Sequence, residues 1–181
     1  SELPQRFFDP DKAKFHLKKA GIDSAEIHLA EVAAGIGDTV LLMQAELAKI
    51  GFDLKIKKVP NDGYWGSIWM KTPINVTTWN MRPTANAMLS IAFAPDAAWN
   101  DTLWKNDRMG ELLIASRSET DPARRHAMYC EMQTLVHENS GMIIPAHPNQ
   151  IDAKSDRVMG MPLVPLGEVG AHEWPEFAWL A

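Results

Sequence analysis

The sequence predicts an α/β fold with a mixed sheet flanked by helices. Strand-like and helix-like apolar periodicities alternate along residues 26–148. Residues that start and stop helices stand at the joints between them. The apolar share of 46% against 23% charged is that of a globular chain with a core to bury.

The elements follow in order. Asp9 is an N-cap, Pro10 fits the first helical position and Gly21 the stop, so residues 9–20 read as a helix with Ala13, Leu17 and Ala20 on one face. Residues 26–32 alternate Ile27 and Leu29 against His28 and Ala30, as a strand does. Residues 37–50 form an amphipathic helix, with Val40, Leu41, Ala45, Leu47 and Ala48 as its apolar positions and Gly51 as its end. Phe52, Leu54 and Ile56 alternate with Asp53, Lys55 and Lys57 in a half-buried strand. Asn61 or Asp62 caps a short helix reaching Met70, and the β-branched run Ile74–Trp79 reads as a further strand. After the turn Arg82-Pro83-Thr84, residues 85–93 and 107–117 are helical. Asp121 and Pro122 open a last helix to Glu138. Met142–Ala146 reads as a short apolar strand. From Lys154 the pattern fades into a Pro/Gly-rich tail bearing Trp174, Phe177 and Trp179, a segment suited to packing on another surface.

Charge and spacing exclude several functions. The net charge of −5 speaks against nucleic-acid binding, which needs a clustered basic surface. The one dense basic group, Lys55, Lys57 and Lys58, reads as a solvated strand edge. Cys130, the single cysteine, lies in a helical pattern without a Cys-x-x-Cys partner and reads as a structural thiol. The six histidines show no His-Glu-x-x-His spacing, so no metal site is expected. No nucleophile–base constellation appears either; the reading is a non-enzyme without cofactor. Gly35-Ile36-Gly37 stands between a strand and a helix, the context of a dinucleotide loop, but Val40 occupies the third glycine position. An α/β nucleotide-binding enzyme using that loop is the alternative.

The candidate binding region is residues 76–104. Five of the seven tryptophans, Trp65, Trp69, Trp79, Trp99 and Trp104, fall close together in sequence. A strand ending in Trp79 runs directly into a polar turn, and strand ends are where open α/β sheets place ligands. Trp79 and Trp99 are expected as apolar walls, with Asn80, Asn86 and Asn100 as hydrogen-bonding groups. Arg82 is expected to face the ligand and take a carboxylate in its planar fork, the alternative being a surface arginine or one paired with Asp96 or Asp101.

These residues resemble a known family. Phe8-Asp9-Pro10-Asp11-Lys12-Ala13-Lys14, followed by Leu17 and Ala20-Gly21, is similar to the Tyr-Asp-Pro-x-Lys-Ala helix of family 5 solute-binding proteins, which include dipeptide-, oligopeptide- and nickel-binding members. Gln44–Gly51, Asp62-Gly63-Tyr64-Trp65, the Trp79 turn, Ala98-Trp99-Asn100-Asp101, Arg125–Gln133, Met142-Ile143-Ile144-Pro145 and Ala153–Gly160 continue the match in order. The resemblance implies a type II periplasmic-binding-protein fold, in which two lobes close on a ligand for delivery to an ABC transporter permease. It implies that residues 1–153 are part of the second, C-terminal lobe. Residues 154–181 would be a segment crossing back to an N-terminal lobe this chain lacks, and their uncovered rings would offer a surface for self-association. It also implies a periplasmic protein exported with a signal peptide. In peptide-binding members the turn after the tryptophan often carries an acid that pairs with the peptide α-amine. Here no carboxylate stands between Trp79 and Asp96, a departure that puts a free peptide in question.

Overall fold

The computed structural model describes residues 3–149, 151–164 and 173–181; the part of the tail at 165–172 lies outside the described residues. Helix α1 (Pro10–Ala20) starts where the Asp9 side chain accepts from the Lys12 N–H at 2.9 Å. Strand β1 (Ser24–Leu29) follows, then α2 (Ile36–Lys49) and β2 (Asp53–Lys58). The strands pair in parallel, Ile27 opposite Ile56, as the helical crossover between them permits. Their shared face carries Ile27, Leu29 and Leu54, buried with Val40, Phe52, Tyr64 and Val76 in a first core. Helix α2 meets this core through Ile36, Val40, Met43 and Leu47. Leu41, Ala45 and Ala48, expected on the buried face, instead line a shallow exposed groove beside Phe52 and Leu54.

The register leaves one side of β2 open. Asp53 and Val59 donate to Asp23 and Leu29, so the peptide groups of Leu54, Ile56 and Lys58 point away from β1. The Leu54 carbonyl is taken by the Gln44 side chain at 2.6 Å.

The third strand expected at Ile74–Trp79 is reduced to one parallel bridge, His28 with Asn75, on the other side of β1. The cause is local. His28 N–H donates to Ile74 and Val76 N–H to His28, but the next acceptor, the Val76 carbonyl, is held by the Tyr64 hydroxyl at 2.6 Å. The chain then leaves the sheet. Tyr64 opens the short α3 (Tyr64–Ser67), which starts after Gly63 rather than at the expected Asn61 or Asp62.

Helices α4 (Ala85–Phe93), α5 (Asp107–Ser118) and α6 (Pro122–Asn139) form a second unit. Thr84, Asn106 and Asp121 cap them, each accepting the backbone N–H three residues on. On α5, Met109, Leu112, Leu113 and Ser116 are buried, the 3–4 spacing of one helix face. Met109, Leu112 and Leu113 pack with Ala92, Phe93 and Met132 in a second core. Arg108 on α5 grips Glu131 on α6 with two bonds, of 2.7 and 3.0 Å, at an exposed position. Such a surface pair orients more than it stabilises.

The strand expected at Met142–Ala146 does not form. A strand needs a ladder partner, none reaches it among the described residues, and Ile143 and Ile144 are exposed. Past it, β3 (Val158–Met159) pairs antiparallel with β4 (Trp179–Leu180), behind a 3-10 turn at Trp174–Glu176. Parallel and antiparallel pairing thus both occur, in separate two-stranded sheets. Gly160 lies so close to the Trp179 ring and the Phe177 carbonyl that no side chain fits there. Its φ of 73° lies in the left-handed region as well.

Candidate functional site: an aromatic wall around Asp101

Where the two cores meet, tryptophans from three segments come together. Helical spacing on and just after α3 sets Trp65 and Trp69 edge to face, with centroids 5.5 Å apart. Trp99, from the loop after α4, lies 6.3 Å from both Trp69 and Trp79. With Tyr64 against Trp65 at 5.5 Å, the rings make a continuous row in the tilted and edge-on geometries that aromatic quadrupoles favour. Trp65 and Trp99 each keep 47% of their surface exposed, so the row is a wall and not a closed core. Aromatic area with a wet face is what a ligand stacks on.

The wall is organised by a carboxylate. Asp101 Oδ2 accepts from the indole N–H of Trp69 at 3.1 Å and of Trp79 at 3.0 Å. Its second oxygen, Oδ1, is buried without a hydrogen-bond partner. Two residues beside the wall, Met70 with φ 59° and Leu103 with φ 54°, adopt the left-handed conformation that costs a non-glycine residue about 1–2 kcal/mol. Backbone held in this region recurs at ligand sites.

The six residues expected at the site divide into three sets. Trp79 and Trp99 are in the wall. Asn80 is exposed on the adjoining turn, where the Arg82 guanidinium donates to the carbonyls of Asn80 at 2.8 Å and Met81 at 3.1 Å. Arg82 pairs with neither Asp96 nor Asp101 among the described residues. The amides of Asn86 and Asn100 are engaged with the scaffold. Asn86 donates to the Leu113 carbonyl and to Ser116 Oγ, both at 3.0 Å, tying α4 to α5. Asn100, buried, donates to the carbonyls of Ala94 at 3.2 Å and Trp104 at 2.6 Å and so closes the loop that carries Trp99. Sequence reasoning missed Trp65, Trp69 and Asp101 as parts of the site. The available signal was that half-buried indoles need acceptors, and Asp101 is an acid set between tryptophans in sequence.

Elsewhere, no group of three or more His, Cys, Asp or Glu able to hold a metal occurs among the described residues. The Gly35-Ile36-Gly37 loop does open α2, but the Glu31 carboxylate crowds the Cβ position of Gly37. A carboxylate beside the loop disfavours a second anion at this helix start.

No family model matches the chain. Among curated proteins, it is 27% identical over 175 residues to di/tripeptide-binding protein 4 of Pseudomonas aeruginosa (strain UCBPP-PA14), a match covering 87% of this chain and 32% of that protein. It is 25% identical to di/tripeptide-binding protein 2 of the same strain, over 88% of the chain and 32% of the relative. The chain therefore spans about a third of the length of the curated relatives it matches. Among solved structures, the oligopeptide-binding protein AppA of Bacillus subtilis, in complex with a nonapeptide, superposes with a TM-score of 0.71 at 18% identity, over 99% of this chain and 39% of AppA. The ABC transporter substrate-binding protein CtaP of Listeria monocytogenes gives 0.66 at 18% identity, over 74% of this chain and 29% of CtaP. In sequence and in fold, then, the chain is similar to about a third of the length of family 5 solute-binding proteins.

Proposed function

We propose that the chain is part of an extracytoplasmic solute-binding protein. In this reading it captures a small solute, a peptide or peptide-like compound, between two lobes and hands it to an ABC permease. The observation that carries the reading is the coincidence of an open aromatic wall with the fold and sequence of transport-binding relatives. The chain supplies contacts and no chemistry. Trp79 and Trp99 stack on the ligand, Arg82 and Asn80 reach it from the turn, and Asn86 and Asn100 hold the scaffold behind them. Residues 1–153 belong to one lobe and residues 154–181 return to the other, which covers Trp174, Phe177 and Trp179. The compartment is the periplasm or its equivalent outside the membrane. The nucleotide-enzyme alternative loses ground to the Glu31 carboxylate at the loop.

Calorimetry of di- and tripeptides against the full-length parent tests the reading. Submicromolar to micromolar binding is expected in the parent, and far weaker binding in this chain alone, because half the contacts and the exclusion of water are missing. Arg82→Ala should cost about 1.5–3 kcal/mol, roughly a 10- to 150-fold loss for a charged hydrogen bond. Equal affinity of chain and parent refutes the two-lobed site. Unchanged affinity in Arg82→Ala removes Arg82 from it.

A further inference from the structure

Trp69 packs against the α/β core and Trp79 against the helical core. One carboxylate oxygen, on a loop that belongs to neither strand pair nor helix, accepts from both indoles. We infer that Asp101 is the positioning residue of the aromatic wall, the polar fastening that sets the angle at which the two cores present their tryptophans to a ligand.

Three observations support this. The two bonds span 32 and 22 residues of sequence, so they fix long-range geometry and not a local turn. Bonds from neutral donors to an ionised carboxylate are roughly twice as strong as neutral pairs, and geometry at a single acceptor is restrictive. The loop itself is braced from behind: Asn100 holds the Ala94 and Trp104 carbonyls, and Thr102 Oγ donates to Asn100 Oδ1 at 3.0 Å. The loop that carries the carboxylate is thus braced independently of the indoles.

The effect on a ligand rests on the binding reading above; the positioning itself does not, and the test separates them. Near-ultraviolet circular dichroism of this chain reads the coupled indoles directly, and far-ultraviolet dichroism reads the helices. Asp101→Ala should lose the indole signal while the helical signal persists. Asp101→Asn should retain most of it, because an amide oxygen can accept from both rings. Trp69→Phe and Trp79→Phe each delete one bond and keep a ring. Each should increase acrylamide quenching of the remaining tryptophans, which keeps the inference testable should Asp101→Ala fail to fold. In the parent, Asp101→Ala should weaken peptide binding by roughly tenfold or more, and Asp101→Asn by much less. An unchanged near-ultraviolet spectrum in Asp101→Ala, or unchanged quenching in both Phe variants, overturns the inference. A lost spectrum in a parent that binds no peptide upholds the positioning and overturns the peptide reading instead.

Discussion

Tyr64→Phe tests the contact that ends the sheet. Tyr64 is 1% exposed, and its hydroxyl donates to the Val76 carbonyl at 2.6 Å. The substitution removes one hydroxyl and no ring, so packing is kept. It deletes a buried bond and strips the Val76 carbonyl of its partner, which together cost about 1–2 kcal/mol. For a chain of this size that lowers Tm by roughly 2–8 °C. A second signature comes from pH. Burial is the larger influence on the phenol and raises its pKa above 10.0. Between the unfolded and folded pKa values the native state holds a proton the unfolded state has released. Stability from this group is therefore complete below about pH 10 and falls as pH rises through the folded value. The wild type should lose stability there, whereas Tyr64→Phe, with nothing to ionise, should not, so the two curves converge in alkali. Thermal unfolding followed by circular dichroism from pH 7 to 11 measures both. Equal Tm at pH 7, or parallel curves above pH 10, refutes the assignment of Tyr64 as a buried donor.

Two further substitutions probe the helical unit and the tail. Leu112→Ala, at a position 2% exposed in the second core, should destabilise by about 2–5 kcal/mol in denaturant unfolding; a loss below about 1 kcal/mol would mean that the helices are not packed as described. Gly160→Ala should break the β3–β4 pairing by collision with Trp179 and Phe177, so that hydrogen exchange at Ala181, whose N–H donates to Arg157 at 2.9 Å, becomes fast while the core Tm stays put. Retained protection at Ala181 would show that the tail accommodates a methyl group.

What could be read in advance was what is local. Asp9 and Asp121 announce helices because a cap and its target lie three residues apart. The helix between β1 and β2 permits their parallel pairing. The third strand was not legible. Ile74–Trp79 has the right composition, but its extension depends on where the Tyr64 hydroxyl, 12 residues earlier, comes to rest. Met142–Ala146 has strand composition too, yet a strand is a property of a pair. The site was half legible for the same reason. An asparagine in a loop looks alike whether it faces a ligand or, as with Asn86 and Asn100, a neighbouring carbonyl. Asp101 stood in plain view, but its meaning lies in two indoles far away along the chain.

The open side of β2 has a consequence for solubility. An unpaired strand is a template on which other chains can polymerise, growing fibrils one strand at a time. Here the first rung of that template is plugged by Gln44 on the Leu54 carbonyl. Beyond it stand Lys55, Lys57 and Lys58, with Lys55 3.9 Å from Asp53 and Lys57 3.6 Å from Glu26, a charged edge of the kind that discourages a further strand. Like charges facing each other across a strand pair destabilise it. Cross-β growth from this edge is therefore disfavoured by the Gln44 side chain on the Leu54 carbonyl and by the lysines beyond it.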